Sequence, residues 1–242
     1  VERLTVEEMD DIINEKFRRD EYAWNKEKKI KWKTHGRICH RLEDFCYKCP
    51  KCGKEFTMKG EGNQIVCTSC GNGATMDDYY EFHPFEGSII PESPFQWVEQ
   101  QRAQLIKEIR ENPDYYFEDE CQIGNLDEYK LVGDNKTSFI VGEGKIRVDH
   151  TGMHYRGTRN GEPYEFDVDY NSLFTLITEV DSSFFNFYLR GEYFDVFPKH
   201  QTVGKFSLLV EEMHRYHINM YKNFKWNDYM YEGMELGIDL KK

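Results

Sequence analysis

Four cysteines set the chemistry open to this chain. Cys49 and Cys52 lie in CPKCG, Cys67 and Cys70 in CTSCG, and fourteen residues separate the two C-x-x-C pairs. Paired thiolates at this spacing match a tetrahedral four-sulfur zinc site. All four donors are sulfur, so no coordination position remains for a reactive water, and the implied zinc is structural. A redox reading needs one C-x-x-C motif, not two matched ones. Cys46 forms a further C-x-x-C with Cys49, which leaves ligand exchange open, although a fifth thiolate has no tetrahedral place. His83 stands close by in sequence and reads as a turn residue. The elements that must position the sulfurs are short. Gly53 and Gly71 close the two pairs, where a tight turn aims backbone amides at sulfur. Between the pairs, KEFTMKGEGNQIV reads as two short strands around Gly60-Glu61-Gly62-Asn63, the hairpin of a zinc ribbon over residues 45–80.

The remaining thiols, Cys39, Cys46 and Cys121, are odd in number and unpaired in spacing, which points to a reducing, cytoplasmic setting. A net charge of -12 argues against wholesale nucleic-acid binding, which wants a basic footprint. No run approaches the length of a membrane span, and no signal peptide opens the sequence. The chain begins at Val1 inside helix-like sequence and reads as a piece of a longer protein.

Residues 1–44 form an N-terminal helical segment. Thr5 and Glu8 make a capping box, and Leu4, Met9, Ile12, Ile13 and Phe17 an apolar stripe. A basic patch follows (Lys26, Lys28, Lys29, Lys31, Lys33 and Arg37) with Trp24, Ile30 and Trp32 interleaved. Such a patch suits an anionic membrane surface or nucleic acid, against the plainer reading of a solvated helix face. Residues 81–130 read as a helical connector. Its helix starts near Ser93, carries Phe95, Val98, Leu105, Ile106 and Ile109 on one side, and stops at Asn112-Pro113.

Over residues 131–226 the period changes to two. Ile146, Val148, Met153 and Tyr155 alternate about Thr151-Gly152, and Asn160-Gly161 is a two-residue hairpin signal leading into Tyr164, Phe166 and Val168. FTLITEV, SFFNFYLR and EYFDVFP supply further strands, turning at Arg190-Gly191-Glu192. Val203, Phe206, Val210, Met213 and His217 then step at helical spacing. About seven short antiparallel strands capped by one helix describe a barrel or sandwich of the pleckstrin-homology or GRAM type. Its aromatics, among them Phe184, Phe185, Phe187, Tyr188, Tyr193, Phe194 and Phe197, are read as core. Residues 227–242 form a tail. The fold class is therefore α+β.

Other chemistry is thin. Asp167 and Asp169 share a strand face but read as solvated carboxylates. His214 and His217, spaced i,i+3, lack a carboxylate partner beyond Glu211 and Glu212, while His150 and His154 read as surface residues flanking a turn. Lys145, Arg147, Arg156 and Arg159 can meet a phosphorylated headgroup, in a field diluted by Glu143, Asp149 and Glu162. No phosphate-cradling loop or nucleophile elbow is present in the sequence.

The runs DEYAWN and CYKCPKCGKEFTMKGEGNQIVCTSCGNGATMDDYYEFHPF, followed by VGEGKIRVDHTGMHYRGTRNGEPYEFDVDY and VGKFSLLVEEMHRYH, resemble the extension behind the catalytic domain of long bacterial (Firmicutes) 1-acylglycerol-3-phosphate acyltransferases. The resemblance covers nearly the whole chain. It implies phospholipid biosynthesis, with acyl transfer to lysophosphatidic acid by a His-x4-Asp pair whose histidine is the general base. None of the eight histidines here has an aspartate five positions on, so catalysis is not carried over. What the resemblance implies is a non-catalytic accessory region that serves protein contact or placement at the membrane periphery. Its implied partners are the parent catalytic domain and an anionic membrane surface. The alternative is a nucleic-acid-binding zinc ribbon, supported by Lys48, Lys51, Lys54 and Lys59 and opposed by the acidic balance.

Overall fold

The computed structural model describes residues 3–17, 20–125 and 138–218. The boundaries expected at 130/131 and 226/227, and the tail 227–242, lie outside the described residues. The chain forms two compact units, one from Val1–Leu42 and Lys48–Gln104, the other from Glu43–Tyr47 and Leu105–Ile218.

The first unit opens with α1 (Val6–Phe17) and α2 (Glu21–Lys28). The Thr5–Glu8 capping box forms in both directions: Thr5 N–H donates to Glu8 Oε2 at 2.8 Å, and Glu8 N–H to Thr5 Oγ1 at 3.2 Å. The stripe expected on α1 exists but packs on little, since Leu4, Ile12, Ile13 and Phe17 are all exposed. Asp20 caps α2 by accepting from the amides of Tyr22 and Ala23. Buried Asn25 then donates to the carbonyls of Ile30 and Tyr79, fastening α2 to the turn over residues 77–81. That sheet has the order β1-β2-β3-β4, from Met58–Glu61, Gln64–Cys67, Gly73–Met76 and Phe82–Pro84, all antiparallel. The β1–β2 hairpin turns at Gly62-Asn63, as its sequence predicts, with Gly62 at φ 57°.

Helix α3 (Pro94–Glu111) starts under Ser93, whose hydroxyl accepts from Gln96 N–H. Its buried side runs through Trp97, Gln101, Leu105, Ile106 and Ile109; Phe95, expected on that side, is exposed. Residues 81–130 are not purely a helical connector. They hold strand β4 and a further strand, β5 (Tyr116–Asn125), at the centre of the second unit's sheet.

That sheet is antiparallel, in the order β8-β7-β6-β5-β11-β10-β9. Its other members are β6 (Phe139–Asp149), β7 (Gly152–Arg159), β8 (Glu162–Val168), β9 (Ile177–Thr178), β10 (Phe185–Leu189) and β11 (Glu192–Pro198). Two meanders, β5 to β8 and β9 to β11, are joined by the β5–β11 pairing. FTLITEV contributes only the two residues of β9 at one edge, and Phe174, Ile177 and Val180 there are exposed. Asn160-Gly161 and Arg190-Gly191 turn their hairpins with both residues at positive φ. Helix α4 (Val203–His217) packs Val203, Phe206, Leu209, Val210 and Met213 into the core. Phe206 meets Phe117 and Phe185 at ring separations of 4.8 and 5.5 Å. The architecture is thus α+β: a cysteine-bearing small sheet, a helix, a seven-stranded antiparallel sheet and a packed C-terminal helix.

Candidate metal centre

Each C-x-x-C motif folds into the same tight turn. Cys49 N–H donates to Lys54 O while Gly53 N–H returns to Cys49 O, and Cys67 N–H donates to Asn72 O while Gly71 N–H returns to Cys67 O. The returning residue sits at φ 73° (Gly53) or 72° (Gly71), which a side chain resists. The turns aim amides at sulfur: those of Lys51 and Cys52 at Cys49, those of Ser69 and Cys70 at Cys67, and that of Asn72 at Cys70. Thr68 stitches the two turns together, its amide and hydroxyl both donating to Thr57 O.

The four Sγ atoms of Cys49, Cys52, Cys67 and Cys70 lie within 4.8 Å of one another, and none is in a disulfide. Across the two turns, Cys49 to Cys70 is 3.7 Å and Cys52 to Cys67 is 3.8 Å. Four sulfurs bound tetrahedrally at about 2.3 Å stand about 3.8 Å apart, so both edges fit a metal ion held by thiolates. Cys49 and Cys67 are buried; Cys52 and Cys70 reach the surface. Burial pushes the Cys49 thiol up to about 12, against the pull of its amide donors. At Cys67 burial also raises, but the Thr57 hydroxyl at 3.3 Å and the amides of Ser69 and Cys70 outweigh it and bring the thiol down to about 6.

Neighbouring residues hold the turns in place, and two of these supports are not evident in the motif. Asn72, 1% exposed, donates its amide to Cys49 Sγ at 3.6 Å and clamps Ile89 from both sides, donating to its carbonyl at 2.9 Å and accepting from its N–H at 2.7 Å. On α3, Trp97 donates Nε1–H to Lys48 O at 2.9 Å, and Gln101 Oε1 accepts from Lys48 N–H at 2.8 Å, fixing the residue before Cys49. A polar residue directly after the second glycine knuckle is the only sequence signal for Asn72. Trp97 and Gln101 gave none beyond helical spacing.

The other candidates fall elsewhere. Cys39, Cys46 and Cys121 are buried outside the cluster. His83 lies in strand β4, not in a turn, and pairs with Asp77 at 2.8 Å. His214 and His217 do not share a ligand position, because His214 Nδ1 bonds Tyr170 O and His217 Nε2 faces His150 Nδ1 at 3.0 Å. Asp167 binds His154 and Arg156, whereas Asp169 caps the next turn through the amides of Asn171 and Ser172. Each of the four cations considered for a headgroup faces a carboxylate: Lys145 on Glu118, Arg147 on Asp149, Arg156 on Glu165 and Asp167, Arg159 on Glu192. In the N-terminal patch, Lys26, Lys28, Lys29 and Lys31 likewise face Glu92, Glu27, Glu81 and Asp78.

Comparison with known proteins returned no match for the chain among family models, curated proteins or solved structures. No helix among the described residues is long and apolar enough to cross a membrane.

Proposed function

We propose that the four-cysteine centre holds zinc as a structural ion, and that the chain is a non-catalytic accessory region whose role is protein contact. The parent we favour is a long bacterial 1-acylglycerol-3-phosphate acyltransferase, in which a separate upstream domain transfers the acyl group. The observation that carries the reading is the closed sulfur set. Four protein thiols within 4.8 Å of one another, two of the separations tetrahedral, with amides and Asn72 supporting them, would leave a bound ion no position at which to activate water. Soft thiolates in a tetrahedral arrangement favour zinc over harder divalent ions. The second unit supports the accessory role. Two meanders closed by α4 are the layout expected of a pleckstrin-homology-like domain, a fold used for docking.

The paired lysines bear on the competing partners. The Lys26 to Lys31 patch carries its own carboxylates, which weakens its pull on an anionic membrane. In the ribbon, Lys48 faces Glu55, Lys51 donates to Gly87 O and Lys54 to Ser69, which weakens the case for nucleic acid.

Two measurements test the proposal. Elemental analysis of purified protein gives one zinc per chain. Removing this region from the parent enzyme lowers its acyl transfer or its association with a partner, with the His-x4-Asp domain still folded. Zinc below half-stoichiometry in protein purified without chelator refutes the first part; unchanged transfer and association refute the second.

A further inference from the structure

Helix α1 is well made and, among the described residues, badly covered. Its start is fixed by the reciprocal Thr5–Glu8 box, so the segment is committed to helix. At 3.6 residues per turn, Ile12, Met9, Ile13, Val6 and Phe17 fall on an arc of about 140°, interrupted by Lys16 between Ile12 and Met9. A stripe of that width normally faces a core. Here Val6 is 73% exposed, Ile13 53% and Phe17 83%; Met9 alone of the five is partly covered. A helix of twelve residues is marginal on its own in water, so this one lacks the burial that would make it firm.

The rest of the helix says what chemistry can supply that burial. Glu7, Glu8, Asp10, Asp11 and Glu15 lie on the remaining circumference, while the helix's one cation, Lys16, falls within the apolar arc and reaches out to Glu15 at 3.9 Å. Asp10 borders the apolar arc on one side and Glu8 comes next to Ile12 on the other. An anionic bilayer repels such a flank, because interfacial helices carry lysine and arginine where this one carries carboxylates. A second copy of α1 face to face sets carboxylate against carboxylate along both margins. The complementary surface is an apolar groove about 18 Å long, the length of the helix, edged by lysine or arginine.

We infer that α1 is a docking helix whose apolar face seats in a basic-rimmed groove on a protein partner. The inference rests on the protein-contact reading above and gives that contact a location and a chemistry. Association buries Val6, Ile13 and Phe17, completes the helix and pairs its flanking carboxylates with cations on the groove's edges. Contact made this way is sensitive to salt at the margins and insensitive at the centre.

The test places the photo-reactive residue p-benzoyl-phenylalanine at Phe17 in the full chain, in cells that make the protein, and maps the adduct. The adduct is expected on an apolar residue of another protein, with lysine or arginine nearby in its sequence. Purified partner is then titrated with wild type, Ile13→Asp and the double variant Glu7→Lys, Glu15→Lys, all leaving Thr5 and Glu8 intact. Ile13→Asp is expected to weaken binding by about tenfold or more, the effect of a lost buried aliphatic side chain. The double charge variant is expected to weaken it at low salt and to flatten its salt dependence. Adducts on lipid, adducts on a second copy, or a charge variant that binds as well as wild type overturn the inference. If a partner binds but Ile13→Asp leaves its affinity unchanged, the docking helix is wrong and the protein-contact reading stands. If no protein adduct forms and no partner associates with the chain, both are wrong.

Discussion

Replacing Asn72 tests whether the metal centre is more than its four sulfurs. In Asn72→Ala the backbone stays, so Cys67 N–H keeps its bond to the carbonyl of residue 72. Three side-chain interactions go: the donor to Cys49 Sγ at 3.6 Å, the donor to Ile89 O at 2.9 Å and the acceptor for Ile89 N–H at 2.7 Å. The two bonds to Ile89 are worth about 1 kcal/mol each, and the freed Ile89 groups add a desolvation cost wherever water does not reach them. Support of a ligand from outside its bonding shell typically changes metal affinity by about 10–100-fold, or roughly 1.4–2.8 kcal/mol. We therefore expect zinc affinity, measured at neutral pH by competition with a chromophoric chelator, to fall at least tenfold in Asn72→Ala. The informative companion is Asn72→Asp. It keeps the acceptor for Ile89 N–H but loses the donor to Cys49 and sets a negative charge beside thiolates. If the side chain matters through its donor to sulfur, Asp binds zinc more weakly than Ala; if it matters only by bracing Ile89, Asp restores part of the loss. Affinity in Asn72→Ala within about twofold of wild type refutes the argument that this residue supports the ligand shell.

Cys67→Ser removes one of the four clustered thiols; zinc is lost, and the strand signature of the second unit survives in circular dichroism and amide exchange. A strong chelator applied to wild type gives the same pattern reversibly. Gly204→Ala sets helix propensity against space, because the new Cβ meets Asp44 O at 2.1 Å. The gain of about 1 kcal/mol for alanine in a helix is outweighed by a clash with backbone, so urea unfolding shows net destabilisation of about 1–3 kcal/mol. Burial, with His150 facing it at 3.0 Å, holds His217 below its ordinary value of 6.5. The unfolded chain takes up that proton first, so the contribution of this site is full above the ordinary histidine value and is lost as pH falls through it towards the folded value. His217→Gln flattens that part of the melting temperature against pH.

What the sequence revealed and what it hid divide along physical lines. The sulfurs, the β1–β2 turn at Gly62-Asn63 and the Asn160-Gly161 hairpin depend on local conformation, which residue types alone dictate. Strand β5 was missed because the acid run Glu118-Asp119-Glu120 breaks the apolar alternation of FEDECQIGN directly after a strong helix stop, with buried Asp119 standing where the period calls for an apolar residue. Its central place between β6 and β11 depends on pairing partners far along the chain, which period-two reading does not reach. The same limit hid Trp97 and Gln101 as supports of Lys48. The α1 stripe shows the opposite failure: an amphipathic pattern fixes which face is apolar, but not what lies opposite it.

The two units hold themselves together by different means, and this bears on what the metal is for. The second unit buries Phe185, Phe194, Phe206, Ile146, Val148, Met153 and Tyr155 almost completely, beneath strands of up to eleven residues. The first has sheet strands of three or four residues and a buried apolar set led by Ile65, Met58, Ala74, Met76 and Trp97. Sheets this short bury too little to stand alone, which is the setting in which a four-thiolate ion supplies folding energy directly. On the structural-zinc proposal, the ion would hold a surface in shape. On that surface several cations face carboxylates of the same chain, as Lys26, Lys29 and Lys31 face Glu92, Glu81 and Asp78. A surface neutralised in this way attracts partners by shape and apolar area more than by long-range charge. Helix α1 departs from the pattern, since its apolar residues stand exposed beside an excess of carboxylates. Its binding should therefore be the salt-dependent one, and any contact made through the metal-stabilised sheet should change little with ionic strength.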